Sequence, residues 1–199
     1  ISKKLFAEYI NLKQSGNFNE ETINATANKL VEEQLNNKKT TVYYSLKNIK
    51  TFPSENKALL KAYVNSLASI RAKYVKLYLQ NPLMKEGEVV DLVNPDFLKR
   101  LVRISDNFKN MAKEMSRLAV PKDLINTHIE ILNNYMTNSD GLKEMSKMGT
   151  DPVVAMVGVQ RQTEAEANEK PLFSIVAKNI FQNGVVYSEN EPGYSLSNI

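Results

Sequence analysis

Apolar residues recur every three or four positions through two long stretches of the chain. This spacing places them along one side of an α-helix and predicts helices over residues 54–80 and 94–118. Ser54 is a suitable N-cap for the first, and Asn94 followed by Pro95 is a suitable cap and first turn for the second. With one loop between them, we expect an antiparallel pair. The apolar positions are Leu60, Tyr63, Leu67, Ile70, Tyr74 and Leu77 in the first helix, and Phe97, Leu101, Ile104, Phe108, Met111, Met115 and Leu118 in the second.

The segment from Pro121 to Asn138 separates into an apolar side and a polar side at helical spacing. It therefore predicts a helix with one buried and one solvated face. The buried face comprises Leu124, Ile125, His128, Ile129, Ile131, Leu132, Tyr135 and Met136. The solvated face comprises Lys122, Asp123, Asn126, Thr127, Glu130, Asn133, Asn134 and Thr137.

Two shorter helices are predicted at the N terminus. Residues 2–14 have helical apolar spacing, and Gly16 is a plausible C-terminal stop. Asn19 is a suitable cap for a second helix that runs to about Asn36, because acidic residues follow it in the first turn.

The last third of the chain contains several helix-breaking signals. Residues 140–141 are Asp-Gly and predict an interruption, followed by a short helical turn over residues 142–148. Residues 151–152 are Asp-Pro and predict the start of another helix. Pro171 should kink or split this helix. Its second half should end at residues 183–184, which are Asn-Gly.

Two stretches favour non-helical structure. Residues 38–53 contain Thr, Val and Tyr in succession and end in proline, which predicts a linker with a short strand. Residues 185–199 predict an extended tail. We expect a minor two-stranded β pairing of residues 185–187 with residues 41–44.

These elements predict an all-α fold, an antiparallel helical bundle of about six helices. The length of 199 residues and a hydrophobic content of 42% suit one domain with one core. Within this domain, spanning residues 1–199, we expect an N-terminal helix pair (1–37), the linker (38–53), a main bundle (54–184) and the tail (185–199).

Composition excludes several classes of site. There is no cysteine, so disulfides, thiol nucleophiles and thiolate metal sites are excluded. No stretch approaches the roughly 20 apolar residues of a transmembrane helix. The chain begins with Ile1 rather than Met, and we expect that a segment upstream of it was removed.

The net charge of +4 is unevenly distributed. Residues 40–80 contain seven Lys or Arg and one acid, whereas residues 151–199 contain three basic and six acidic residues. A basic region can attract nucleic acid, anionic lipid or an acidic protein surface. The simpler interpretation is a solvated helix face, because the lysines are dispersed.

His128 is the only histidine and the most obvious candidate for chemistry. Its place on the apolar arc favours a core histidine bonded to a tyrosine or a backbone carbonyl. One histidine without cysteine cannot form the usual zinc shell. The residue three before it is Ile125, so the Glu-x-x-His pattern of di-iron bundles is missing. We expect no metal and no cofactor.

Acidic catalysis leaves no obligatory motif, so a cell-wall hydrolase with a single buried Glu stays open. Glu130 falls on the polar arc, and the group Glu164, Glu166 and Glu169 is interpreted as a solvated helix surface. Glycine-rich phosphate loops and the G-x-S-x-G elbow do not occur. We predict no catalytic, cofactor-binding or metal-binding residue.

A nucleic-acid or other anionic-polymer binder is a further alternative. One predicted helix interleaves basic residues with tyrosines, a pattern that can bind and stack single strands. Tyr63 and Tyr74 fall on the apolar seam, however, and are more simply core residues. We therefore expect that nucleic acid is not the partner. The residues concerned are Lys57, Lys61, Arg71, Lys73 and Lys76, with Tyr63, Tyr74 and Tyr78.

Three stretches resemble an uncharacterised helical family associated with small-genome bacteria of the candidate phyla radiation. They are YINLKQSGNFN from Tyr9, VPKDLINTHIEILNN from Val120 and IFQNGVVYSENEPGY from Ile180. The resemblance implies an envelope protein in which an N-terminal signal or membrane anchor precedes a helical extracytoplasmic domain. The break predicted at Pro171 departs from the uninterrupted final helix expected of that family. The resemblance implies no functional residues.

Together these observations favour a non-enzymatic, envelope-associated helical domain that acts in protein interaction or structural scaffolding, in a surface or secretion assembly. The expected partner is a protein. Membrane anchoring is expected only through a segment upstream of Ile1. The alternative location is the cytoplasm.

Overall fold

The computed structural model describes residues 2–16, 19–37, 41–85 and 87–197. Its α-helices are α1 (Ser2–Gln14), α2 (Glu20–Asn37), α3 (Lys57–Gln80), α4 (Pro95–Met115), α5 (Ile125–Met145), α6 (Pro152–Gln182) and α7 (Tyr194–Ser197). Short 3-10 helices span Leu46–Asn48 and Lys122–Leu124, and the strands are β1 (Thr51–Phe52) and β2 (Val120–Pro121). The fold is all-α, as the apolar spacing predicted.

Helices α5 and α6 lie antiparallel along their length. Near the middle of α5, Asn134 donates a hydrogen bond to the carbonyl of Ala165 in α6 (2.8 Å). Near the end of α5, Glu144 pairs with Arg161, which comes earlier in α6 (3.4 Å). Residue numbers therefore rise in one helix as they fall in the other. The turn of residues 146–151 reverses the chain between them.

Helices α4 and α5 are also antiparallel. The hydroxyl of Ser105 donates to the carbonyl of Ser139 (2.8 Å), and the rings of Phe108 and Tyr135 lie 5.9 Å apart. The antiparallel packing of consecutive helices through short loops agrees with the predicted bundle. Its core residues come mostly from four helices, and they include Leu60, Leu67, Met111, Met115, Leu132, Tyr135, Phe173, Val176 and Ile180.

The N-terminal helix pair joins the bundle through α2. Leu30 and Val31 of α2 form a small buried cluster with Val153 and Val157 at the start of α6. Residues 38–40 of the predicted linker lie outside the described residues.

The residue that caps α3 is not the predicted one. The side chain of Asn56, not Ser54, accepts a hydrogen bond from the Leu59 amide (3.0 Å). Ser54 is buried, and its hydroxyl accepts a hydrogen bond from the Asp123 amide (3.0 Å). The predicted caps Asn94 of α4 and Asp151 of α6 are confirmed, since both side chains accept first-turn amides.

Two predicted breaks are wrong. Helix α5 continues through Asp140 and Gly141, so residues 142–145 belong to it rather than to a separate turn. Helix α6 continues through Pro171, so the predicted split of this helix into two halves is wrong. Proline removes one helical N–H, which leaves the carbonyl of Ala167 without its partner. Both Ala167 and Pro171 are exposed, so water can satisfy that carbonyl.

The predicted pairing of residues 185–187 with residues 41–44 is also wrong. The linker is instead held by Asn133 of α5, whose side chain accepts from the Tyr43 and Tyr44 amides (both 3.0 Å) and donates to the Tyr44 carbonyl (3.2 Å). Tyr43 also donates a hydrogen bond to Asp140. The linker thus covers part of the side of α5 that was predicted to be solvated. Thr127, which was also predicted on that side, is buried.

The β pairing that does form is parallel and joins β1 to β2, with Thr51 opposite Val120 and Phe52 opposite Pro121. It ties the chain segment before α3 to the segment before α5. Each strand has two residues, so the bridge adds little to an otherwise helical fold.

The C-terminal tail is only partly extended. After Gly184, which has a positive φ of 61°, the chain runs without regular structure to residue 188 and then turns into α7. Tyr187 and Leu196 are buried in the main core. The Gly193 amide donates to the side chain of Asn65 in α3 (2.8 Å), so the tail packs back onto the bundle.

Among the described residues, no helix combines the length and the apolar character that crossing a membrane requires.

Candidate functional site

His128 is fully buried, as its place on the apolar arc predicted. Its Nδ1 shares a hydrogen bond with the hydroxyl of Tyr63 (3.0 Å), and the two rings meet edge to face. Burial lowers the pKa of His128 to about 4, although the backbone of Met115 partly offsets this shift. The histidine is therefore neutral near pH 7. It does not line the pocket described below.

The basic residues of α3 are largely neutralised within the fold. Lys61 pairs with Glu191 of the tail (2.9 Å), and Lys73 pairs with Glu114 of α4 (2.6 Å). Arg71 pairs with Glu169 of α6, as described below. Of the interleaved tyrosines, Tyr63 and Tyr74 are buried and Tyr78 is exposed. Lys57 and Lys76 remain exposed.

Three of the four carboxylates considered in the sequence are exposed, as expected: Glu130, Glu164 and Glu166. Glu169 is not a solvated surface residue. Its Oε1 accepts a hydrogen bond from Arg71 Nε (2.9 Å) and another from the Tyr135 hydroxyl (3.1 Å). The prediction for Glu169 is therefore wrong.

Arg71, Tyr135 and Glu169 form a polar cluster that joins α3, α5 and α6. The Arg71 guanidinium lies 5.3 Å from the ring centre of Phe173, a cation–π distance. Tyr135 is buried, and burial raises its pKa well above the usual value. Its hydroxyl therefore stays protonated and donates to Glu169. The cluster is a fixed arrangement of one cation, one anion and one hydroxyl donor.

A pocket of about 290 Å³ opens beside this cluster, between α3, α4, α5 and α6. Arg71 and Glu169 form part of its wall, and Glu166 lies one turn before Glu169 on the same side of α6. Most of the remaining lining is apolar or aromatic: Tyr74, Val75, Tyr78, Leu83, Ile104, Phe108, Met111 and Leu142, with the neutral polar residues Asn107 and Gln162.

Among the described residues, no acidic side chain other than Glu166 and Glu169 lines the pocket. Within the described ranges, no group of three or more His, Asp or Glu side chains is arranged to hold a metal ion. Glu144 of α5 is a buried carboxylate, 8% exposed. It pairs with Arg161 and does not line the pocket.

A signal in the sequence could have identified the polar cluster. Glu169 lies midway between the buried residues Ala165 and Phe173, four positions from each, and so occupies the buried stripe of α6. Arg71 follows the buried Leu67 by four positions and precedes the buried Tyr74 by three. Opposite charges at stripe positions of two helices indicate a partly buried pair.

Comparison of the chain with protein-family models, with curated proteins and with solved structures gave no match in any of the three cases.

Replacing Glu169 with glutamine should lower the free energy of unfolding by about 1–2 kcal/mol, since Arg71 loses its ionic partner in a partly buried position. Urea unfolding followed by circular dichroism at neutral pH measures this. Glu164→Gln is the matched control, because it changes an exposed residue of the same helix and should cost less than about 0.5 kcal/mol. Equal effects of the two substitutions would contradict the role assigned to the cluster.

Proposed function

We propose that this chain is a non-catalytic helical domain of the cell envelope that acts by binding another protein. The observation that supports the proposal is a run of exposed apolar side chains at the end of α3 and in the loop to α4. We call it the loop surface. It comprises Leu79, Met84, Val89, Leu92 and Val93.

Two members of the loop surface are exceptionally exposed: Leu79 at 71% and Val89 at 94%. Isolated exposed apolar residues are common, whereas several of them within one short segment favour an interaction site. Part of the loop is anchored to the fold. Leu83 and Val90 pack against the cluster of Phe97 and Leu101, so the exposed Met84 and Val89 each lie next to an anchored residue.

The charged groups support protein rather than nucleic acid as the partner. Nucleic-acid affinity depends on cations that are free to neutralise phosphates. In α3, Lys61, Arg71 and Lys73 are already paired with carboxylates of the same chain. We therefore do not propose the nucleic-acid alternative.

The envelope location is supported by the resemblance in the stretches that begin at Tyr9, Val120 and Ile180. The sequence of the complete gene tests it directly. A signal peptide or a hydrophobic anchor upstream of Ile1 is the expected result. If the gene encodes neither, the envelope location has to be abandoned, while the protein-binding proposal would still be testable by itself.

Site-specific photo-cross-linking in cells of the source species tests the partner. A photoreactive amino acid at Val89 should give a covalent adduct with one protein, whereas the same group at Phe181 should not. Phe181 is the matched control, because it is a similarly exposed apolar side chain (85%) on α6.

The adduct at position 89 should fall at least about tenfold when Leu79 and Val93 are both replaced by serine. Each apolar side chain buried in an interface contributes about 1.5–3 kcal/mol, and a loss of about 1.4 kcal/mol already weakens binding tenfold. Adducts of equal yield at positions 89 and 181, or an adduct that is insensitive to the two serine substitutions, would show that the loop surface is not a specific binding site.

A further inference from the structure

The pocket beside Arg71 and Glu169 has the size of a small-molecule site. Its volume of about 290 Å³ is close to the lower end of the range for ligand pockets, roughly 300–1,000 Å³. A cavity of roughly half that volume is enough to bind benzene. The pocket therefore suits one ring with a short substituent rather than a long acyl chain or a peptide.

The lining recognises an apolar or aromatic body. Tyr74, Tyr78 and Phe108 bring three aromatic rings to the pocket, and Met111 adds a polarisable side chain. Rings of this kind attract cations to their faces as well as packing against apolar groups. The lining thus favours a ligand that is apolar, positively charged, or both.

The ionised side chains of the lining indicate whether an uncharged or a positively charged ligand is favoured. Arg71 and Glu169 neutralise each other at 2.9 Å, so they contribute little net charge to the pocket. Glu166 also lines the pocket. Together the three ionised groups of the lining sum to one negative charge. This net charge disfavours an anionic ligand.

We propose that this pocket binds a small hydrophobic organic cation, with an aromatic or branched apolar body among the rings and one ammonium group near Glu166. This activity is separate from the proposed protein interaction. Leu79, Val89 and the other residues of the loop surface do not line the pocket. Either proposal can therefore fail while the other stands.

Three probes of similar size and different charge test the proposal on the intact chain. They are benzyltrimethylammonium, the neutral N,N-dimethylbenzamide and the anionic 4-isopropylbenzoate. Binding is followed by the methyl resonances of ¹³C-labelled methionine. Met111 lines the pocket, whereas Met156 is exposed elsewhere on α6 and serves as the internal control.

We expect the Met111 resonance to shift and to reach a plateau as the probe concentration increases, while the Met156 resonance does not move. The ammonium probe should bind at least about tenfold more tightly than the benzoate, because the carboxylate on the pocket wall attracts the first and repels the second. The amide should bind with intermediate affinity.

Two variants and one control variant distinguish the effect of the charge on binding from the effect of the cavity. Glu166→Gln should weaken binding of the ammonium probe about fivefold and change that of the amide by less than about twofold. Glu164→Gln, its neighbour outside the pocket, should change neither. Val75→Trp places a large ring in the pocket from a partly exposed position of α3, and it should weaken both probes about tenfold or more.

Circular dichroism of each variant establishes that the helical fold is retained. The proposal is overturned if no probe shifts Met111, or if the benzoate binds as tightly as the ammonium probe. It is also overturned if Glu166→Gln and Glu164→Gln weaken binding equally, because the attraction would then belong to the general surface charge of α6.

Discussion

Replacing Gly158 with alanine is expected to lower the free energy of unfolding by about 2 kcal/mol, a large effect for one methyl group. At this position α6 crosses α5 without an intervening side chain. A Cβ atom on Gly158 would lie 2.5 Å from the carbonyl oxygen of Gly141 and 2.7 Å from the amide nitrogen of Met145. Both are backbone atoms of α5, so they cannot rotate away.

Two effects of this substitution oppose each other. Alanine is favoured over glycine inside a helix by about 1 kcal/mol. The clash requires α5 and α6 to separate along an interface that also contains the Glu144–Arg161 and Asn134–Ala165 contacts. Such overpacking costs about 1–3 kcal/mol and sometimes more. We therefore expect the clash to outweigh the gain in helix propensity, so that the substitution destabilises the fold. Chemical denaturation followed by circular dichroism measures the result.

Gly149→Ala is the control for the crossing, because a Cβ atom there meets nothing within 4 Å. It should change the free energy of unfolding by less than about 0.5 kcal/mol. Gly141→Ala should act in the same direction as Gly158→Ala, since its Cβ atom would lie 2.8 Å from the Gly158 carbonyl oxygen. A neutral or stabilising Gly158→Ala would mean that the two helices are not in close backbone contact.

This glycine crossing also explains one error of the sequence-based prediction. Asp140 and Gly141 are typical turn residues, and the local pattern predicted a break there. The structure keeps the helix, because the absence of a side chain at Gly141 permits the close approach of α6 at Gly158. Local propensity cannot reveal this, since the benefit comes from a residue 17 positions away.

The parts of the fold that were predicted correctly depend on local information. The seam of α3 as far as Tyr74, the seam of α4 and the buried arc of α5 follow from side-chain periodicity alone. Leu77, which was predicted on the seam of α3, is exposed. Asn94 and Asp151 cap the helices that follow them, because an N-cap bonds only to amides two or three residues away. The remaining features depend on contacts between residues that are distant in the sequence. For example, Asn133 holds the linker, which was expected to pair with the tail.

The candidate site was less predictable than the fold. Arg71 and Glu169 are 98 residues apart, and each was interpreted within its own helix as a solvated charge. Helical projection assigns a residue to a face, but it does not say which helix covers that face. The pocket arises from four helices together, so no single segment carries its pattern.

Acidification from pH 7 to pH 4.5 is expected to lower the free energy of unfolding by about 2–3 kcal/mol through His128 alone. Burial lowers the pKa of this histidine to about 4 from an ordinary value of 6.5. Between these values the unfolded chain binds a proton that the folded chain does not. Stability is therefore complete above pH 6.5 and declines as the pH falls towards 4.

The carboxylates begin to contribute only in the lower part of this interval. Hydrogen bonds from Arg100 and Lys61 lower the pKa values of Glu88 and Glu191 to about 2. Their contribution to stability is fully present well above the ordinary carboxyl value of 4.5 and is lost as the pH falls through it. A decline in stability between pH 6.5 and about pH 5.5 thus reports the histidine, and nearer pH 4.5 the difference between the parent and a variant without His128 reports it.

His128→Gln should remove this decline, because an amide can keep a hydrogen bond to Tyr63 but does not titrate. The variant will be less stable than the parent at neutral pH if the glutamine packs poorly. The quantity to compare is therefore the slope of the free energy of unfolding against pH, not its absolute value. Urea unfolding at half-unit intervals from pH 7 to pH 4.5 provides it. If the parent and the variant decline in parallel, then the buried His128–Tyr63 pair is not the source of acid sensitivity, and another group must gain a proton on unfolding.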